Sequence, residues 1–129
     1  MAIPGASDGQ EVLRRGCISP QTNDPTSFDF TGGLPTAGDE TDVVAANHII
    51  TVLSVIWCEQ SNAAETIYFW IVTTDSKHVQ LLRLAPIAGY GTYIWNDKIV
   101  LIAGDALKTD IASSANIDVS YTYLDQDWS

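Results

Sequence analysis

Residues 66–74 read TIYFWIVTT. In an extended chain, successive side chains point to opposite faces. Ile67, Phe69 and Ile71 then share one face, and Tyr68, Trp70 and Val72 share the other. Residues 48–60, HIITVLSVIWCEQ, have the same β-branched and aromatic character. Strand-length runs follow at 79–84, 93–95, 99–102 and 117–124. Turn residues bound them: Ser61-Asn62, Asp75-Ser76, Gly89 to Gly91, Asn96-Asp97 and Gly104-Asp105. No segment holds a helical period, and only residues 103–108 suit one loose turn. Several short strands at close spacing predict an all-β protein, an antiparallel β-sandwich of jelly-roll type.

The last run alternates cleanly. Ile117, Val119, Tyr121 and Tyr123 make an inward face, and Asp118, Ser120 and Thr122 a wet one. The run at 66–74 does not alternate, so both of its faces need a cover. The Tyr68, Trp70 and Val72 face predicts either a subunit interface or a surface under the folded-back N-terminal region.

Composition changes near residue 46. Residues 1–46 hold four of the five prolines and six of the nine glycines. Such punctuation disfavours helices and central strands. The reading is an extended arm over 1–46 and a sandwich domain over 47–129. Residues 11–18 and 27–30 are pieces able to pair at a sheet edge. Arg14, Arg15, Phe28 and Phe30 are the arm's candidate gripping residues.

The 129 residues suit one domain plus an arm, and 46% hydrophobic content suffices for a core. Sixteen Asp and Glu against six Lys and Arg give a formal net charge of -10. That balance disfavours nucleic acid and anionic membranes, whose phosphates need cationic side chains. The longest uncharged run, 43–58, is too short to span a bilayer and carries Asn47, His48, Thr51 and Ser54. Residues 1–10 lack the basic start and apolar centre of a signal peptide, so synthesis in the cytoplasm is expected.

Candidate chemistry is sparse. Cys17 and Cys58 show no zinc spacing, and free thiols are the expectation, although one disulfide stays open. Cys58, inside a strand, reads as a small core residue. His48 and His78 each open a strand, without a metal-spaced partner. A small hydrolase using either histidine is the enzyme alternative; the expectation is no catalysis, no cofactor and no metal. Asp39, Glu40 and Asp42 lack the calcium-loop pattern and read as a solvated acidic loop, as do Asp125 and Asp127. Trp57 and Trp70 read as core. Tyr90, Tyr93 and Trp95 near a turn are possible exposed contacts, for a partner or a glycan, and Trp128 is either frayed or docked.

Three stretches resemble known proteins. These are SVIWCEQSNAAETIYFWIV (54–72), LLRLAPIAGYGTYIWNDKIVLIAGDALK (81–108) and ANIDVSYTYL (115–124). With the turn at 86–89, the hairpin at 98–107 and the closing strand at 118–121, they resemble β-sandwich accessory proteins of tailed bacteriophages. The resemblance covers about residues 50–124 and leaves the arm out. It implies a structural virion protein, foremost a capsid decoration (cement) protein that stabilises the head shell. Its partners would be the major capsid protein or other virion proteins, and a homo-oligomer, dimer or trimer, is implied. A tail, neck or fibre-base protein with a host-glycan contact is the alternative, and a free carbohydrate-binding domain a further one.

Overall fold

The computed structural model describes residues 10–36, 38–39, 42–113 and 116–128. They form nine strands and no helix. The strands are β1 (Gln10–Gln21), β2 (Thr26–Ser27), β3 (His48–Glu59), β4 (Glu65–Val72), β5 (His78–Ile87), β6 (Thr92–Trp95), β7 (Ile99–Ile102), β8 (Ala106–Ile111) and β9 (Ile117–Asp127).

Two antiparallel sheets pack face to face as a β-sandwich. The first, sheet A, runs β1-β9-β3 and then β6 and β7, which share the far side of β3. The second, sheet B, runs β2-β8-β4-β5. β6 takes the later part of β3, opposite Val55 to Cys58, and β7 the earlier part, opposite Ile49 to Val52. With β6 and β7 counted as one interrupted lane, each sheet has four lanes. Sequence neighbours alternate between the sheets except at the β4–β5 hairpin, which stays in sheet B, and this is the double Greek key of a jelly roll.

The core between the sheets is aromatic. Trp57 meets Phe69 edge-on at 5.1 Å, Phe28 meets Tyr121 at 4.6 Å, and Phe30 meets Tyr123 at 4.9 Å. Such edge-to-face pairs place the positive ring edge on the negative ring face. Among the core's polar atoms, Trp57 Nε1 donates to Thr109 Oγ1 at 3.1 Å, and Thr109 Oγ1 donates to the Tyr68 carbonyl at 2.9 Å. A buried hydroxyl is tolerated there because both its roles are filled.

Three expectations change. First, residue 46 does not divide arm from domain among the described residues. β1 pairs with β9 from Gln10 to Gln21, and β2 pairs with β8. The expected edge piece at 11–18 lies within the longer edge strand β1, but of the piece at 27–30 only Ser27 is in a strand, and the chain after it enters the core. Phe28 and Phe30 are 1% and 7% exposed, which removes them from any capsid-gripping role. Apolar rings of that size leave water wherever a core accepts them. Second, of residues 103–108 only 103–105 make a tight turn, closed by the Asp105 N–H on the Ile102 carbonyl, while 106–108 open β8. Leu107, Thr109 and Ile111 point inward, and Lys108 and Asp110 flank Trp70 and Tyr68 on the outer side. Third, Trp70 is half-buried on the outer face of sheet B and is not part of the core. The signal-peptide reading falls on residues 1–9, outside the described residues, as does Glu40 of the acidic loop.

Candidate interaction surface

The outer face of sheet A is built by register. Residues directly opposite on neighbouring antiparallel strands share a face. One row across the sheet joins Leu13 of β1, Leu124 of β9, Thr51 of β3 and Val100 of β7. The next row joins Glu11, Gln126, Ile49 and Ile102. Further along β3, Cys17, Ser120, Ile56 and Ile94 form another row. These apolar residues stand in water: Leu13 is 65% exposed, Val100 62%, Ile102 56% and Ile94 54%. Isolated apolar side chains on a surface need no explanation, but aligned rows on one sheet face mark a contact surface. The charged residues pointing out from these strands are Glu11, Arg15 and Asp118, all on β1 or β9.

The sequence conceals this face. β7 reads IVLI, apolar at every position, so alternation cannot show that Val100 and Ile102 point outward. Leu13 joins the row only through the pairing of β1 with β9, a contact between distant parts of the chain.

The expected subunit face lies on the other sheet. Tyr68, Trp70 and Val72 share the outer side of β4 and are half-buried. Their register neighbours are mostly polar: Asp110 for Tyr68, Lys108 and Gln80 for Trp70, and His78 and the apolar Ala106 for Val72. The folded-back N-terminal region covers the opposite side of β4, where Phe28 lies 5.7 Å from Phe69.

The other expected contact residues scatter. Tyr93 packs edge-on against Trp57 at 5.9 Å, and Trp95 against Phe69 at 5.6 Å, so both rings turn to the core. Tyr90 alone of that group is broadly exposed, at 68%. Arg15 sits on the outer face of sheet A opposite Thr122. Arg14 turns the other way, and its Nε lies 3.6 Å from Asp125 Oδ2. The backbone N–H of Trp128 donates to the Asn47 carbonyl at 3.1 Å.

Ionisable side chains organise four places. His48 Nδ1 lies 2.7 Å from Asp125 Oδ1, and His48 Nε2 lies 3.6 Å from Asp127 Oδ2. Both ring nitrogens therefore face carboxylates, and neither is aimed at a hydroxyl or thiol. Asp125 is buried beneath this cluster, so the solvated reading of that residue is corrected. The small hollow beside it is lined by Arg14, Phe30, Thr31, Val43, His48 and Ile50.

Glu59, also buried, gathers the loops at one end. Its carboxylate accepts from the amides of Ser61, Ala63 and Tyr90 and from the Ser61 hydroxyl. Burial pushes its pKa upward, but these donors outweigh it and hold the group down at about 2. Asp105 ties a second pair of turns together through the amides of Ile102 and Thr74. In the acidic loop, the Asp42 pKa is raised by burial and then by the charges of Asp29 and Asp39. No cluster of three or more metal-ligating side chains occurs among the described residues.

Cys17 and Cys58 are both free and lie on the outer face of sheet A, with β9 between their strands. Cys58 is therefore not the core residue expected, because Trp57 and Glu59 take the inward positions. Two strand spacings separate the thiol-bearing strands by roughly 10 Å. A disulfide requires Cα atoms within about 7 Å, so the two cannot join within one copy.

Comparison with known proteins supports the fold. No protein-family model matches the chain, and no curated protein matches it. Among solved structures, a protein of Bacillus endospore appendages, described as a novel family of disulfide-linked pili, aligns with TM-score 0.50 and 8% identity. That alignment covers 100% of this chain and 98% of the other. The Drosophila NLP core, described for its pentamer formation and histone binding, aligns at TM-score 0.45 and 11% identity, over 88% of this chain and 95% of its own. Infectious bursal disease virus Gx strain aligns at TM-score 0.47 and 8% identity, over 95% of this chain and 38% of that one. At 8% identity, the likeness to the appendage protein is one of fold alone.

Proposed function

We propose that this chain is a non-enzymatic structural subunit that works by assembly, and that its place is the head of a tailed bacteriophage. There it would bind the major capsid protein as a decoration (cement) protein. The observation that carries the reading is the outer face of sheet A, with four apolar side chains more than half exposed in register on a rigid platform. An exposed face of that kind is costly to a molecule that stays alone and useful to one that docks. The acidic surface supports a protein partner over nucleic acid. The two ring nitrogens of His48, both turned to carboxylates, support a role without catalysis. The Bacillus appendage protein offers a precedent for this sandwich in an assembled structure.

The test is to mix the purified chain with empty capsids of its source phage, count bound copies after sedimentation, and heat the decorated and bare shells. Hundreds of copies per shell and a raised shell disruption temperature are expected. A chain that stays in the supernatant, or decorates without altering heat resistance, overturns the decoration reading. A few copies confined to the portal or tail would favour the neck and tail alternative.

A further inference from the structure

We infer that the outer face of sheet A is a self-association surface, on which a second copy of this chain docks sheet against sheet. This rests on the assembly reading above and gives that face to a second copy, so the capsid contact would fall on another surface of the dimer.

Size is the first argument. β1 and β3 are 12 residues long and β9 is 11. At about 3.3 Å per residue and about 4.8 Å between strands, four lanes make a face of roughly 19 by 40 Å. Its area, roughly 750 Å², approaches the about 800 Å² per partner that a stable interface buries. Nearly the whole face must then be covered, which a congruent sheet does and a short peptide does not.

Charge is the second argument. The half of the face on β3, β6 and β7 presents Ile49, Thr51, Ser54, Ile56, Ile94, Val100 and Ile102 and no charge. A basic partner would find no carboxylates there to select it, and an anionic one would meet only Arg15 at the margin. Two copies related by a twofold axis bring apolar rows onto apolar rows. Their Arg15, Glu11 and Asp118 side chains, of both signs, lie on β1 and β9, the other half of the face. Paired sheets about 10 Å apart are the ordinary packing of such faces.

The opposing force is also specific. Each copy carries a formal net charge of -10, so two copies repel at long range while their faces attract. Salt screens that repulsion and leaves apolar contact intact. Association therefore strengthens as salt rises, whereas docking of a basic partner weakens.

The experiment uses the full chain without capsids. Its mass is measured by sedimentation from low to high micromolar concentration, at low and moderate salt. Alkylation of Cys17, exposed on this face, is followed by mass spectrometry under the same conditions. A dimer favoured by salt, with Cys17 alkylation slowed as it forms, is expected. Val100→Lys and Ile94→Lys, at exposed positions, are expected to weaken association at least about tenfold while leaving the melting temperature unchanged. A chain that is monomeric throughout overturns the inference. So does an oligomer in which Cys17 reacts as fast as in the monomer, or one indifferent to both substitutions. The two readings fail separately. A monomer that still coats capsids removes only the self-association, and a dimer that ignores capsids removes only the decoration role.

Discussion

The ring of Tyr121 lies over Gly16, its register partner on β1, so closely that a Cβ added there would sit 2.3 Å from Tyr121 Cζ. The glycine opens a slot in the strand, and the aromatic ring fills it, as rings do beside strand glycines. Through that slot the Tyr121 hydroxyl reaches Asp29. It donates to the Asp29 carbonyl at 2.9 Å and accepts from the Asp29 N–H at 3.1 Å. One tyrosine thereby fastens β1, β9 and the segment after β2. Burial raises the pKa of its hydroxyl far above the ordinary phenol value, partly offset by the backbone bond to Asp29.

Gly16→Ala should therefore destabilise the fold by about 1–3 kcal/mol, because the ring has no free direction in which to retreat. A lower urea midpoint at unchanged slope is the expected result. An unchanged midpoint would mean the ring is not held over the glycine.

Tyr121→Phe keeps the ring and removes both hydrogen bonds to Asp29. A loss of about 1–3 kcal/mol is expected, since the Asp29 amide loses its partner. Amide exchange at Asp29 should accelerate by more than exchange within β4, and equal changes at the two sites would refute the local role.

Phe28→Ala separates the core from the arm reading. Its ring touches Phe69 and Tyr121, so removal should cost about 3–5 kcal/mol in the isolated chain. A residue reserved for gripping a capsid would show no such loss in thermal melts of the free protein.

Much of this was legible in the sequence because period two is a strong signal wherever one face is wet. Ile117, Val119, Tyr121 and Tyr123 were read correctly for that reason, and so was the sandwich. β8 was hidden because one of its inward residues is Thr109, whose fitness for the core depends on Trp57 and Tyr68, far away in the chain. β1 looks like part of an arm because the prolines and glycines of residues 1–46 say nothing of β9, which arrives about a hundred residues later. The outer face of sheet A was hidden by the uniformly apolar IVLI of β7. The Asp125–His48 pair was invisible for a related reason: local composition shows a charge but not its distant partner.

Glu59 makes stability depend on acid. Its pKa in the fold, about 2, is below its ordinary 4.5, so its contribution is fully present above 4.5 and is lost as pH falls through about 2. Glu59→Gln should lower stability at neutral pH and flatten the acid limb of the stability curve. Thermal melts of both proteins across that window test it, and parallel curves would place the acid sensitivity elsewhere.

Thr109→Val leaves the shape of the core nearly intact but strands the Trp57 indole N–H and the Tyr68 carbonyl. A cost of about 1–3 kcal/mol is expected. Near-UV circular dichroism of the tryptophan band should change along with the melting temperature, and a shift in neither would show the bond to be dispensable.

The pairing of β1 with β9 sets Gln10 opposite Asp127, so the first strand starts beside the end of the last. A force pulling those strand ends apart would open the strand pair like a zipper, one residue pair at a time, beginning at Gln10 and Asp127. The same molecule loaded across its two sheets would oppose the force with its whole aromatic core at once. Its mechanical strength is thus directional: high for forces shared through its faces and low for forces applied at those strand ends.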